Sequence, residues 1–574
     1  MAIMDVKTGR RQARGDGFGA LQWLGLVLSG LMLVPLTALI VVAVTGTSRS
    51  IPHYVDTVLG VYTLTTVQLV VMVGIATAII GTVTAWLVTM CEFPGRRILS
   101  WALVLPFAMP AYVSAYAYTY LLQHPGPVQT ALRNTFDLSP TGYWFPDIRS
   151  VGGAAFVLSL VLYPYVYLLA RTAFLQQTAS HFHVSRSLGR SPWGAFFGVA
   201  VPLARPAIVA GVALALMETV ADYGTVYHFG VQTFTTAIYR TWFSMGDRVA
   251  AVQLALALVG MVVLLLALER IGRRGRRFSQ TRAGAPMAPM VLSGWRAAGA
   301  VAACVLPIVL GFFAPVLTLL HVAASLEVPF VDPLAWPLVD NTLTLATVGA
   351  GFTVACAVII AYARRISRPG LMTFVGQLAG FGYAVPGAVI AVGLLIPFGL
   401  FDRWQNRLMI ELFDWRTGAI LTGTIATLVF AYVVRFLAVA LNGVEAGLAR
   451  IPASFDQASR SLGSGPTRTL RRVHAPLLTG GLLTAFMITF VDIVKELPAT
   501  LILRPFNFDT LAIRAYRLAS DERLAMASVP SLMIVAVAMV PVVFLTFQIT
   551  RTRVEHAHHT EGGEQRLVPS RGSR

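Results

Sequence analysis

Long apolar stretches, each ended by a short basic or Gly/Pro-rich segment, recur along the whole chain. They fall near residues 20–44, 62–90, 99–122, 151–172, 206–227 and 249–268, and again near 296–322, 341–363, 372–400, 417–441, 478–502 and 527–549. Each is long enough to cross ~30 Å of hydrocarbon as a helix. The pattern predicts an all-α integral membrane protein of about twelve spans arranged as two tandem six-helix sets. An even number of spans places both termini on one side. The clusters Arg96-Arg97, Arg270 to Arg282, Arg364-Arg365-Arg368 and Arg551-Arg553 then share the cytoplasmic face. Arg504, Arg514, Arg517 and Arg523 fall outside, offset in part by Asp509, Asp521 and Glu522. Lys7, Arg10, Arg11 and Arg14 precede the first stretch, which lacks a clear processing site and is expected to remain as the first span.

The two sets repeat each other in detail. His183-Val-Ser-Arg-Ser-Leu-Gly189, followed by Pro202, recurs 274 positions later as Gln457-Ala-Ser-Arg-Ser-Leu-Gly463, followed by Pro476. Pro94-Gly95 matches Pro369-Gly370, and Pro110 matches Pro386, at offsets that drift by only one or two residues. Parallel repeats place a shared site on the axis between them. The expected organisation is an N-terminal tail (1–19), a first repeat (20–271) with its loop near 173–205, a basic linker (272–292), a second repeat (293–550) with its loop near 444–476, and a tail (551–574). Each loop reads as a short helix that ends at Gly189 or Gly463, where glycine lets the chain turn away. Pro202 and Pro476 suit the start of the next span.

Composition narrows the class. Of 574 residues, 56% are hydrophobic and 12% charged, and mean hydropathy is +0.71, beyond the range of soluble domains. A net charge of +18 is in the range of nucleic-acid binders, but the basic residues lie between spans, where they set topology and meet anionic lipid head groups. Cys91, Cys304 and Cys356 are scattered, without metal-ligand or disulfide spacing. Lys7 and Lys495 are the only lysines, and neither follows a glycine-rich turn, so the chain has no phosphate-cradling P-loop.

The paired loop, with its small residues, its Gly four positions on and its Pro thirteen after that, resembles the EAA loop of type I ABC-importer permeases. The flanks Gly189 to Phe197 and Pro202 to Ile208 strengthen the likeness, which covers both halves. The resemblance implies a coupling helix in each half: His183, Val184, Ser185, Gly189 and Pro202 in the first, Asp456, Gln457, Ala458, Ser459, Gly463 and Pro476 in the second. In the family such helices dock on a homodimeric cytoplasmic ATPase that holds ATP-Mg. The family's loop glutamate is absent, replaced by His183 and Gln457, with Asp456 beside the latter and His181 near the former.

Glu218 and Asp222 lie four residues apart on the helix after the first loop, and Asp492 and Glu496 stand at the same 274 offset on its counterpart. Counting at 1.5 Å per residue from Pro206 puts Glu218 about 18 Å and Asp222 about 24 Å along the span. Carboxylates at that depth must face a cavity or a partner. Two readings follow. Four acids could line an axial path for a small, highly charged cation, joined by Tyr223 and Tyr227. Alternatively, Lys495 neutralises Asp492 or Glu496 while Asp222 caps a helix end before Gly224. The strings Glu218 to Val226 and Asp492 to Phe506, with the fused halves, resemble ferric-iron permeases of the same family. That likeness implies Fe³⁺ as substrate, a periplasmic binding protein, a bacterial inner-membrane location and alternating access, with no covalent chemistry or cofactor in this chain. Fused permeases for thiamine, phosphonates or polyamines share the framework, and a proton-coupled secondary transporter is the rival from another class.

Other features read as follows. His124 to Arg149, with Trp144 and Asp147, Asp247-Arg248 and Glu522-Arg523 are candidate docking surfaces for the binding protein. His556, His558 and His559 sit in a polar tail expected to be disordered. Pro106, Pro110 and Pro386 are expected to kink the third and ninth spans.

Overall fold

The computed structural model describes residues 19–48, 50–175, 177, 194, 196–273, 290–325, 336–367 and 370–564, with side chains described through 271 ahead of the linker and through 544 at the C-terminal end. Among these residues, ten helices are long and apolar enough to cross a membrane, or up to twelve if two bent helix pairs each count as one span. The first repeat contains α1 (Ala20–Leu31) and α2 (Val34–Thr45), which form one bent pair, then α3 (Leu59–Met90), α4 (Arg96–Ala102), α5 (Ala111–Leu122), α6 (Val151–Leu175), α7 (Val201–Ala221), α8 (Gly224–His228), α9 (Phe234–Tyr239) and α10 (Arg248–Arg273). The second runs through α11 (Gly294–Ile308), α12 (Ala314–Ser325), α13 (Trp336–Ile366), α14 (Leu371–Ala379), α15 (Gly387–Phe413), α16 (Ile425–Ala449), α17 (Ala453–Ser461), α18 (Ala475–Lys495), α19 (Pro498–Leu503), α20 (Leu511–Ser520) and α21 (Leu524–Glu564).

The helices form where expected, but several stop or break sooner. Spans predicted over 206–227 and 478–502 end at Ala221 and Lys495, because Asp222 and Glu496 take extended C-cap conformations. The stretch expected over 417–441 is helical over Ile425–Ala449 instead. The Asp402 carboxylate collects the backbone N–H groups of Ile420, Leu421 and Thr422 and holds the preceding loop out of the helix. Pro110 and Pro386 do more than kink. In each repeat an α-helix passes into a 3₁₀ turn (Leu105–Ala108 or Gly380–Ala384), and the proline then caps a new helix. In the first repeat the two segments are bent by 92°. At the C-terminus, α21 continues through Glu564, so helix replaces the disordered tail expected from residue 551.

A second repeated irregularity precedes the prolines of the loops. Residues Phe196–Ala200 and Leu470–His474 form π-helical turns, again 274 positions apart. Pro202 and Pro476 have no N–H to return to the turn before them, and their rings crowd its carbonyls, so the turn widens. The linker's far end is tied down: Met290–Val291 forms a two-residue parallel ladder with Cys91–Glu92.

Small residues let the spans approach closely. A Cβ on Gly81 of α3 would sit 2.6 Å from Val166 Cβ, and one on Gly211 of α7 would sit 2.7 Å from Val166 Cα, so α6 is gripped from both sides. The second repeat uses Gly349 of α13 in the same way, against Ile493 and Tyr432. Gly211→Leu is therefore expected to lower the melting temperature of the detergent-solubilised protein markedly. Gly260→Leu, at a position with nothing within 4 Å of the new Cβ, should leave it unchanged.

Candidate functional site

The ends of α7 and α18 meet at the junction of the repeats, around a buried cavity of about 110 Å³ with room for several waters. All four predicted carboxylates, Glu218, Asp222, Asp492 and Glu496, line it, together with Arg435 and Lys495. Their roles divide by position in the helix. Asp222 Oδ1 accepts the N–H groups of Thr225 and Val226 at 3.0 and 3.1 Å. Glu496 accepts those of Ala499 and Thr500 at 2.8 and 3.0 Å, 274 positions later in each case. Each acid thus ends one helix and caps the next, satisfying donors that would otherwise be orphaned in an apolar setting.

The remaining two acids are ion-paired. Lys495 Nζ lies 3.4 Å from Asp492 Oδ1. The Arg435 guanidinium reaches Glu496 Oε1 at 3.2 Å and Glu218 Oε2 at 3.7 Å, with only 8% of its side chain exposed. These facts correct the simplest form of the four-ligand cation path. Two carboxylates are occupied as caps and the others face cations, and among the described residues no three His, Cys, Asp or Glu side chains are grouped to hold a metal ion. Tyr223 lines the cavity, whereas Tyr227 lies outside it and is half exposed.

Arg435 was not picked out by sequence reasoning. Its position in the first repeat is held by Val161, and the repeat symmetry that exposed the acids hid the base. The one available signal was an isolated arginine in the middle of an apolar run. Space for it comes from Gly387, where a Cβ would meet Arg435 Nη1 at 2.2 Å and Glu496 Oε1 at 2.6 Å.

The second loop forms α17, and Gly463 takes φ +74° just past its end, as a glycine stop requires. Asp456 is buried on its inner side. Its carboxylate accepts from Arg365 Nη2 at 2.8 Å and pairs with His474 Nε2 at 2.7 Å. Ser459 is buried against Thr469 at 2.7 Å. Asp456 therefore fastens the loop to α13 and to the π-turn. Gln457, Ala458 and Gly463 are exposed, with Phe455 (46%) and Leu462 (84%) beside them. His183, Val184, Ser185 and Gly189 lie outside the described residues; Pro202 and Pro476 sit in the first turns of α7 and α18. Of the candidate docking groups, Asp247 is already engaged, accepting from Ser48 Oγ, Ser50 Oγ and Ala250 N at 2.7 to 2.9 Å. Arg149 and Glu522 face each other at 3.7 Å on the surface.

Tandem repeats, broken spans and a charged cavity at their junction define an all-α integral membrane protein. No family model matches the chain. It is 26% identical over 499 residues to the Fe(3+)-transport system permease protein FbpB 2 of Haemophilus influenzae, covering 84% of this chain and 88% of that one. It is 25% identical over 206 residues to the molybdenum transport system permease protein ModB of Escherichia coli, covering 86% of ModB but 35% of this chain. The putative 2-aminoethylphosphonate transport system permease protein PhnV of Salmonella typhimurium is 27% identical over 258 residues, 42% of this chain and 91% of that one. The resemblance to ABC-transporter permeases is thus shown, and the ModB and PhnV matches are each about as long as one repeat.

Two outcomes follow. Arg435→Gln strands the Glu496 charge, and loss of one partner from a buried pair costs about 3–5 kcal/mol; Gly387→Ala should give a melting-temperature loss of the same sign by wedging the pair apart. For the loop, burial pushes Asp456 up, but hydrogen bonds and charge from Arg365 and His474 outweigh this and hold it below the usual carboxylate range. A depressed carboxylate stabilises above its unfolded value near 3.9 and loses that contribution as pH falls through the folded value. Melting temperature should therefore drop more steeply for wild type than for Asp456→Asn below about pH 4.

Proposed function

We propose that this chain is the membrane-spanning subunit of an ATP-driven importer that receives its cargo from an external binding protein, and that the cargo is ferric iron. The observation that carries this reading is the end-to-end likeness to the Fe(3+)-transport permease of Haemophilus influenzae, across both repeats and not one alone. In this reading ATP hydrolysis falls to a separate, homodimeric ATPase on the cytoplasmic side, which agrees with the absence of a P-loop from this sequence. The exposed apolar edge of α17, Phe455, Ala458 and Leu462 at helical spacing, is a suitable seat for that partner. The corresponding segment of the first repeat, with His183, Val184, Ser185 and Gly189, would supply the second contact.

In this mechanism the charges serve as a gate as well as a path. Glu218 belongs to the first repeat and Arg435 to the second, and Lys495 of the second repeat also donates to the Phe107 carbonyl of the first at 3.1 Å. Motion of the ATPase, passed through the loop helices, would separate the repeats and break these links. Glu218 and Asp492 would then be free to offer hard oxygen ligands to Fe³⁺ as it passes. Resetting the repeats restores the pairs and closes the cavity, which gives alternating access.

ATP-dependent ⁵⁵Fe³⁺ uptake into proteoliposomes that hold the whole complex tests the cargo. Uptake should need the ATPase and the binding protein, and Glu218→Gln with Asp492→Asn should reduce it at least about tenfold, the loss expected when charged ligands are removed. Unchanged uptake in the double variant would eliminate the carboxylate path; uptake without any ATPase would eliminate the importer. Phe455→Asp with Leu462→Asp should abolish co-purification of the ATPase or halve its recovery while leaving the melting temperature of the permease unchanged.

A further inference from the structure

Beyond the ends of α7 and α18, on the side away from α17, a second and larger cavity of about 680 Å³ opens outward. Its volume is that of a small-molecule site. Among the described residues no carboxylate lines it, whereas Arg240, Arg504 and Arg517 do. Arg504 and Arg517 share a single carboxylate behind the wall, that of Asp509. Arg240 is exposed and makes no ion pair among the described residues. Three guanidiniums against one carboxylate leave an excess of two positive charges in a concave, partly apolar site, where field lines are focused. Burial, and then the like charge of Arg517, push the Arg504 guanidinium below its ordinary value against the pull of Asp509.

The rest of the wall supplies hydroxyl donors. Tyr62, Tyr223, Tyr227, Tyr239 and Tyr516 surround the space. Tyr223 and Tyr516, from different repeats, meet hydroxyl to hydroxyl at 3.0 Å, and Tyr239 donates to the Pro498 carbonyl across the same seam. Tyr223 also lines the inner charged cavity, so one aromatic layer separates the two. Planar guanidinium forks and phenolic O–H groups are the donors that recognise phosphate and carboxylate oxygens.

We propose that this outer vestibule binds a small anion bearing several oxygens, a phosphate or a polycarboxylate, either free or as the ligand shell of ferric iron. The idea rests on the reading of the chain as a transport permease and adds to it the chemical form in which cargo is met at the mouth. A bare trivalent cation would be repelled by three arginines, while an anionic ferric complex is attracted. The tyrosine layer then holds it short of the buried carboxylates until the repeats part.

The test is equilibrium binding to the full complex in nanodiscs without nucleotide, using inorganic phosphate, citrate and ferric citrate as probes. Saturable binding is expected for at least one of the three, weakened about tenfold or more by Arg240→Gln with Arg517→Gln and by raised ionic strength. Binding of free citrate or phosphate identifies a free-anion site, and binding of ferric citrate alone identifies a site for the complex. Arg240→Lys with Arg517→Lys keeps the charge and should weaken binding less than the glutamine pair, a check that survives if the glutamine variant folds poorly. Absence of saturable binding to wild type, or binding unmoved by both double variants, overturns the proposal. So does a double variant that loses only its grip on the binding protein. Because binding is read without ATP, its failure beside intact ATP-driven iron uptake would sink the vestibule site and leave the importer reading standing.

Discussion

A charge inside an apolar slab must be partnered, and in this protein one such partnership joins the two repeats. Arg435 reaches across the seam to Glu218 while holding Glu496 of its own repeat. Removing such charges from water costs several kcal/mol per ion, recovered only with good geometry and further hydrogen bonds. The surrounding structure supplies both. Glu496 is fixed by two backbone N–H groups of α19, and Gly387 leaves the space that any side chain would close. The break at Pro386, which starts α15 at that glycine, thus belongs to the same requirement as the ion pair.

The repeat is a template that has been made unequal where charge is concerned. Asp222 and Glu496 perform the same double capping task at the same offset, so backbone need has kept both acids. The bases are not duplicated: Val161 stands opposite Arg435, and Ala221 opposite Lys495. A symmetric pair of arginines would place two guanidiniums around one cavity of about 110 Å³ and repel. One arginine shared by acids of both halves offsets part of the negative charge at the seam and links the halves at once.

The spans and the matched offsets of the four acids were legible because they rest on apolar runs and a fixed repeat, signals carried by sequence alone. Helix ends were less so. Asp222 and Glu496 read as members of a continuous face, yet each takes extended backbone, since a carboxylate that can cap the next helix competes with the turn it would continue. Asp402 and Arg435 escaped notice for the opposite reason. Each is a single polar residue in an apolar run, and its meaning depends on what tertiary packing brings to it. Asp456 was picked out as a loop carboxylate, but helical spacing does not say which face is turned inward.

That inward turn bears on how force could pass through the chain. Asp456 ties α17 at once to Arg365 at the end of α13 and to His474 in the π-turn that leads into α18. A push on α17 therefore reaches two spans through short, charged contacts, and α18 carries Asp492 and ends at Glu496 in the cavity. The first repeat has Phe182 and Ala200 where the second has Asp456 and His474, so no such charged tie can form at those positions. Since Arg435 also belongs to the second repeat, this charged lever and the shared cation stand in the same half. Displacement of that half would pull Arg435 away from Glu218, its carboxylate partner across the seam among the described residues, while the contact with Glu496 moves as one body.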